Sequence, residues 1–546
     1  MPVSLSLVCC LFAVFCFSSA TALIKPPRRP STIPVQANVP SDAGVPFKSF
    51  LSYSIEFSSF PDFAGNLSSP NVFSNNLLNN LGNLAGTKPY IRVGGNTQDY
   101  AIFNSSLDVA SVGIFNTNIS SDYPTTLTIG PPYFESYQTW PDTKFVHGFN
   151  LGRNSTAARQ ALLESVSYAC EALQDGKLLY WELGNEPDLY KTSAQGPIRP
   201  PSWDEQDYVD EWLHWTREIR EAMRQPCPRL ASRKNYKYYA PSFAGASNSL
   251  DPIETWEDGL DRDKDIAVIT SHNYISGAEV PGVTLQGTLM NHTSNVVSIQ
   301  KQLNESRHLA ALPDRLEPDL PFVLGEHNSL YNQGRPGLSN TFGATLWGVD
   351  FNLYCAANNI RRVHMHQGTN YRYPSWQPID TDKTSKGTKA PYYGNIAVAA
   401  FLGDLTKSPP SIVNLPLPGE QDSAYATYTS SGGLSKLMVI NLMEYNATAG
   451  NNYTNDYPRP IERYTFQLPS DVGFGKSVKL QRLMANGSDA ITGVSFDGYS
   501  YNYELDNGRP VVLHNVTRGE TVEVDKDGRL CVDVPRSSAV ILDLGC

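Results

Sequence analysis

Leu178-Leu179-Tyr180-Trp181-Glu182-Leu183-Gly184-Asn185-Glu186-Pro187 decides how this chain is read. Its first half is a short run rich in apolar and aromatic side chains, the composition of a strand buried on both faces. Gly, Asn and Pro end the run and leave Glu186 at the mouth of the strand with the amide of Asn185 beside it. A second run of the same build, Pro321-Phe322-Val323-Leu324-Gly325-Glu326, again ends on Gly-Glu. In a barrel of alternating strands and helices, chemistry is built at the C-terminal strand ends. A lone Gly-Glu is ordinary solvated loop chemistry. Two carboxylates on two strand ends are what cleavage of a glycosidic bond needs: one protonates the departing oxygen, the other attacks or activates water.

Further strand-like runs surround these two, at Leu51–Phe57, Pro89–Gly94, Lys144–Leu151, Tyr238–Phe243, Ile266–Ile275 and Arg361–His366. Glu186 then caps the fourth run and Glu326 the seventh. Between most runs lie stretches of helical periodicity, such as Ala157–Leu173 and Asp207–Met223. This alternation predicts an α/β architecture, a (β/α)8 TIM barrel over residues 46–394. Past about residue 400 the texture changes. Ala424–Tyr428, Lys436–Leu442, Arg463–Leu468, Ser477–Leu483, Val511–His514, Thr521–Val524 and Ala539–Leu544 are short β runs separated by Gly, Asn and Pro turns, predicting a β-sandwich domain over 395–546. The Pro-rich lead-in, 23–45, is a poor core former, expected to pack on the sandwich and to lend it strands.

The chain has 546 residues, too many for one ordinary core, and a net charge of −11. Leu5–Phe17 followed by Ser18-Ser19-Ala20-Thr21-Ala22 reads as a signal peptide over 1–22, so the expected protein is secreted, with no membrane anchor. Asn66, Asn104, Asn118, Asn154, Asn291, Asn304, Asn446, Asn452, Asn486 and Asn515 each head a glycosylation triplet, which fits that route. Cys9, Cys10 and Cys16 leave with the signal. Cys170 with Cys227 and Cys531 with Cys546 are the expected disulfides, and Cys355, in an apolar helical pattern, the free thiol. No Cys or His spacing fits a zinc site, so neither metal nor cofactor is expected. An acidic chain is a poor match for nucleic acid or a heavily sulfated polymer, which need basic grooves. Neutral or sparsely charged glycans are the easier partners, and a monomer is expected.

The ordered set of motifs resembles glycoside hydrolase family 79, the family of β-glucuronidases and heparanase. Trp181-Glu182-Leu183-Gly184-Asn185-Glu186-Pro187 is similar to the acid/base motif of retaining glycosidases of the large (β/α)8 clan. Leu324-Gly325-Glu326-His327-Asn328-Ser329-Leu330-Tyr331 is similar to the family's nucleophile segment. Ser54-Ile55-Glu56, Tyr90-Ile91-Arg92-Val93-Gly94-Gly95-Asn96, Ser271-His272-Asn273-Tyr274 and Gly368-Thr369-Asn370-Tyr371 follow the same order. The resemblance implies Glu186 as acid/base, Glu326 as nucleophile, Asn185 on the sugar 2-hydroxyl and Tyr274 orienting the nucleophile. It implies contacts of Glu56 and Asn96 with hydroxyls of the non-reducing sugar. For a uronic acid it implies that Tyr331, the Gln333–Gly334 backbone and Tyr371 hold the C6 carboxylate through neutral donors. Heparanase has a glycine run after that first tyrosine, where this chain reads Tyr331-Asn332-Gln333-Gly334. His272 and His327 read as supporting or core residues.

The leading expectation is a retaining exo-β-glucuronidase releasing glucuronic acid or its 4-O-methyl form from extracellular glycans. The rivals are an endo-acting enzyme of heparanase type, another specificity of the clan such as an arabinofuranosidase or xylosidase, and a non-catalytic carbohydrate-binding glycoprotein. The intact pair of glutamates argues against the last.

Overall fold

The computed structural model describes residues 32–193, 196–312, 320–449, 453–454 and 457–545. The expected signal peptide, the first part of the lead-in, Asn452 and Cys546 lie outside them. Strands β1 (Leu51–Glu56), β2 (Ile91–Gly94), β3 (Phe145–Phe149), β4 (Leu178–Leu183), β5 (Tyr238–Phe243), β6 (Ile266–Gly277), β7 (Phe322–Tyr331) and β8 (Val363–Gln367) close into a barrel in chain order. Every pairing in it is parallel. The outward side chains meet helices. Inside, Val146, Tyr239, Val268 and Val323 form an apolar layer, while Ser54, Arg92, Glu182, Ser242, Thr270 and His366 are buried polar residues.

The surrounding helices are α1 (Val72–Ala85), α2 (Thr156–Leu173), α3 (Glu205–Met223), α4 (Pro252–Glu257), α5 (His292–Ala310), α6 (Phe342–Ala357) and α7 (Ala390–Leu402). Asn71, Ser155, Asp204, Asp251, Asn291 and Thr341 start α1 to α6, each accepting a backbone N–H of the first turn. Such a cap is typically worth ~1 kcal/mol. After β2 the alternation breaks. A small sheet of Ala101–Phe103, Thr126–Ile129 and Ser111–Ile114 stands there, followed by a 3-10 stretch, Pro131–Gln138. β7 also departs from expectation. It does not stop at Leu324, so Glu326 is not at its end but within it. β6 and β7 keep pairing beyond the rim, His272 opposite Glu326 and Gly277 opposite Tyr331, after a register shift between Ser271 and His272.

The second layer system is antiparallel. β9 (Ser411–Leu415), β10 (Asp422–Tyr428), β11 (Leu434–Asn441), β13 (Ser477–Met484) and β15 (Ser538–Asp543) belong to one sheet, in the order β9-β10-β11-β15-β13. β12 (Ile461–Gln467) and β14 (Arg529–Pro535) form a smaller one with Ile33–Pro34 from the lead-in, which pairs parallel to β12. The large sheet is buried on both faces by period-two alternation. Tyr425, Met438, Ile440, Ala539 and Ile541 join the core of the barrel helices. Their neighbours Ala424, Ala426, Leu437, Val439, Val540 and Leu542 fill the sandwich. This explains α6 and α7. α7 has no charged residue and α6 only Asp350, since both are buried almost all round. α7 also runs across residue 394, and the next strand begins at Ser411.

Cys170 on α2 is bonded to Cys227, just past α3. Cys531 is a free, exposed thiol with its sulfur 3.5 Å from Thr465 Oγ1. Alternation along β14 turns Leu530, Val532 and Val534 inward and Cys531 outward. Cys355 is free and buried in α6. Asn66, Asn104, Asn118, Asn154, Asn304, Asn486 and Asn515 are exposed, and Asn291 and Asn446 half-buried. No helix of the described residues is long and apolar enough to cross a membrane.

Because one face of the sheet completes the barrel's core, a chain ending at residue 408 should expose α6 and α7 and come out insoluble. A soluble truncated barrel with native-like circular dichroism and a cooperative melt would overturn this.

Candidate active site

Arg92, in β2, is wholly buried and points into the barrel. Its Nε donates to Glu182 Oε2 at 2.8 Å, Nη1 to Glu326 Oε2 at 2.6 Å and to Ser54 Oγ at 3.0 Å, and Nη2 to Asn185 Oδ1 at 2.8 Å. Ser242 Oγ donates to the other oxygen of Glu182 at 2.5 Å. One guanidinium thereby holds side chains from β1, β4 and β7 and from the loop after β4.

Glu326 receives a second hydrogen bond from the Tyr274 hydroxyl at 2.8 Å, and His366 Nδ1 stands 3.4 Å from its Oε2. Burial works to raise this carboxyl, but His366, His272, Arg92 and the Tyr274 hydroxyl outweigh it and hold it well below the usual range. Glu186 is governed the other way. Burial first, and then the charge of Glu326, raise its pKa to about 8. Its Oε1 is 2.9 Å from His272 Nδ1, and burial pushes that imidazole down to about 4. One carboxylate oxygen of Glu186, one of Glu326 and a ring nitrogen of His272 all lie within 4.8 Å of one another. Two identical side chains therefore stand face to face with opposite tendencies, one to keep its proton and one to ionise, the pairing that an acid and a nucleophile would need.

Both border a cavity of about 560 Å³ at the barrel mouth. Glu56, Asn96, Asn185, Tyr274, Tyr331 and Gln333 also line it, so most of the residues singled out from sequence meet in one place. Asn185 keeps its oxygen on Arg92, while its Nδ2 faces Asn96 Oδ1 at 3.3 Å. Glu56 accepts from Thr97 N at 2.9 Å and Thr97 Oγ1 at 2.6 Å. The residues expected to bind a uronate divide. Tyr331 is 45% exposed at the cavity wall. Tyr371 is buried, with its hydroxyl donated to Glu56 Oε2 at 3.0 Å. The Gly334 N–H is spent on Leu330 O at 3.1 Å.

Asn332, Gln333 and Gly334 all have left-handed backbones, with φ of 60°, 62° and 79°. Arg372 holds that turn. Its N–H donates to Gln333 O at 2.8 Å, Nε to Gly334 O at 3.1 Å and Nη2 to Asn332 O at 3.3 Å. In a planar trans peptide the C=O and N–H point opposite ways, so a carbonyl of Asn332 turned to Arg372 turns the Gln333 N–H away from it.

Sequence reasoning gave no role to Arg92, Glu182, His366, Asp99 or Tyr373. For Arg92 and Glu182 a signal existed. Each sits inside a run that reads as a buried strand, where a charge must find a partner. His327, by contrast, packs beside Phe351 at 5.3 Å between ring centroids and is a core residue.

A (β/α)8 barrel with two apposed carboxylates at its mouth and a sandwich buttress defines a glycoside hydrolase. Residues 424–541 match the model of the glycosyl hydrolase family 79 C-terminal beta domain. The chain is 58% identical over 522 residues to a β-glucuronidase of Aspergillus niger, covering 95% of each. It is 56% identical over 494 residues to a β-glucuronidase of Neurospora crassa, covering 86% of this chain and 88% of that one. The chain belongs to glycoside hydrolase family 79. Among solved structures, a 4-O-α-L-rhamnosyl-β-D-glucuronidase of Fusarium oxysporum has the same fold, with a TM-score of 0.73 at 22% identity, covering 94% of this chain and 100% of that one.

If Arg92 keeps Glu326 ionised, Arg92→Gln should move the acidic limb of the kcat/KM profile upward, by ~1–3 pH units, the usual effect of a close opposite charge. The sign follows because Glu326 must lose its proton to act, and without the cation it holds that proton to higher pH. An unmoved limb in a folded variant would leave the shift to His366, His272 and the Tyr274 hydroxyl.

Proposed function

We propose that the chain is a secreted, retaining exo-β-glucuronidase that releases glucuronic acid, or its 4-O-methyl form, from extracellular glycans. The observation that carries this is the Glu186–Glu326 pair, with oxygens within 4.8 Å, in a chain 56–58% identical to curated β-glucuronidases. Inverting enzymes keep their carboxyls ~6.5–9.5 Å apart to seat a water between sugar and base, whereas retaining ones sit at ~5–5.5 Å. The ionised Glu326 attacks the anomeric carbon while Glu186 gives its proton to the leaving oxygen, so the glycosidic bond breaks as the glycosyl-enzyme ester forms. Glu186, now a carboxylate, takes a proton from water. The hydroxide equivalent attacks the anomeric carbon and Glu326 departs as carboxylate, with the configuration retained. Arg92 and Tyr274 hold Glu326 for both displacements.

Exo action is supported by the closure of one side of the mouth. Arg372, between the cavity's Tyr373 and the buried Tyr371, pairs with Asp122 at 2.8 Å, beside the cavity's Tyr123. Lys383 Nζ donates to Ser121 O at 2.6 Å in the same excursion. A wall there favours a pocket for a chain end over the open groove an endo enzyme needs, and release of monosaccharide alone from a glucuronic-acid-capped glycan would test it. The signal-like N-terminus and the exposed sequons support secretion.

Glu326→Ala should abolish turnover, with azide restoring a product of inverted configuration. Glu186→Ala should slow poor leaving groups far more than activated aryl ones, which need no proton. Identical behaviour of the two variants on both substrate types would refute the division of roles.

Of the uronate donors expected from the sequence, Tyr331 and the Gln333 N–H remain for C6 among the described residues. Tyr331→Phe removes a charge-assisted hydrogen bond worth ~1.5–3 kcal/mol, about a tenfold to hundredfold loss in kcat/KM on an aryl glucuronide. The matching glucoside should barely change, so the selectivity ratio falls by most of that factor. Equal losses on both sugars would make Tyr331 a general support of the site.

A further inference from the structure

Glu186 occupies an unfavourable backbone. Its φ is +51°, in the left-handed region, where a side chain with a Cβ is held only if the surroundings over-determine it. On its C-terminal side the chain turns at once into the 3-10 stretch Pro187–Leu189, and the Glu186 N–H donates to Ser242 O at 3.0 Å. On its N-terminal side the Gly184 N–H donates to Phe149 O at 2.9 Å and Asn185 Oδ1 accepts from Arg92, and a buried carboxylate adds a further fastening. Asp99, in the 3-10 turn after β2, is 3% exposed and borders the cavity. Its Oδ2 accepts from the Asn185 N–H at 2.8 Å and the Tyr190 hydroxyl at 2.6 Å. Its Oδ1 accepts from Leu151 N at 2.9 Å and Gly152 N at 3.0 Å. Tyr190 is in turn stacked on Trp203, with ring centroids 5.8 Å apart, and lies under Arg199.

Four donors from the segments that follow β3 and β4 converge on Asp99, and two of them lie on either side of Glu186 in sequence. We propose that Asp99 is the positioning residue of the acid/base. It pins Asn185 and Tyr190 to the loop after β3, and so holds the strained Glu186 backbone in the one conformation that points its carboxyl at the leaving oxygen. Gly152 and Gly184 fit this arrangement. A Cβ on Gly152 would meet Asp99 Cβ at 2.8 Å, and one on Gly184 would meet the Tyr190 hydroxyl oxygen at 2.9 Å. Both Asp99 oxygens are engaged by protein donors, so it acts through Glu186.

The inference rests on Glu186 being the general acid, and the test separates the two. Asp99→Asn keeps the size but turns an amide donor on at least one of the four N–H and O–H groups. Steady-state kinetics on a series of aryl and alkyl glucuronides should show kcat/KM falling at least tenfold more for alkyl than for dinitrophenyl leaving groups, a steeper leaving-group dependence that mere loss of folded protein does not produce. If Asp99→Asn does not fold, Tyr190→Phe removes one of the four donors and should change the slope in the same direction by about threefold to tenfold. Equal losses across the series, or no loss, would overturn the positioning role provided Glu186→Ala retains its own leaving-group dependence. If Glu186→Ala shows none, it is the acid assignment that fails.

Discussion

A cation with no access to water must be surrounded by its counter-charges, and this constraint on Arg92 organises the barrel mouth. Breaking a buried ion pair from one side typically costs ~3–5 kcal/mol, because the remaining charge stays buried. Arg92 meets two carboxylates, Glu182 and Glu326, and gives its remaining hydrogen bonds to Ser54 and Asn185. Burial alone would lower its pKa, but those carboxylates outweigh it and keep it charged. β1, β2, β4 and β7 are therefore tied at the level where the cavity begins, before any substrate enters.

The difference between Glu186 and Glu326 follows in part from the same cation, with His366 the larger influence on Glu326. Both are deep carboxyls in one cavity, and two like charges so close cannot both ionise cheaply. Glu326 contacts Arg92 and accepts from Tyr274. The Glu186 carboxyl, among the described residues, has its hydrogen bond with an imidazole that burial disposes to stay neutral. The proton therefore resides on Glu186. A static asymmetry of partners sets the division of chemical labour.

Away from the site, the sandwich acts as part of the barrel's core, and a buried polar cluster is among its fastenings to it. Asp350, on α6, receives Asn295 Nδ2 at 2.6 Å and the Tyr425 hydroxyl at 2.7 Å, with His292 Nδ1 at 2.9 Å. Burial works against its ionisation, yet His292 and Tyr425 keep its carboxyl below the usual range. Asn295 and His292 come from α5 and Tyr425 from β10, so one buried carboxylate joins two barrel helices to the sheet.

Much of the architecture was legible in the chain because each barrel strand is a local signal: a short apolar run with a turn after it. The family motifs likewise placed Glu186, Glu326 and Tyr274 where the cavity brings them together. What local pattern misled on was extent. Gly325-Glu326 looks like a strand end, and only the continued pairing with β6 carries the strand to Tyr331. The excursion after β2 replaces a helix for want of a helical period between residues 101 and 138.

Composition and motif order determined the fold class and singled out the two glutamates proposed as the catalytic pair, since both are written in contiguous residues. The tertiary structure alone decided which hydroxyls are still free. Tyr371, expected to donate to a uronate, instead donates its hydroxyl hydrogen bond to Glu56, from the other end of the barrel sequence. It also alone revealed Arg92 and Asp99 as hubs. A hub is defined by partners on several strands, and which side chains converge on one buried charge depends on barrel closure, which no single stretch of sequence records.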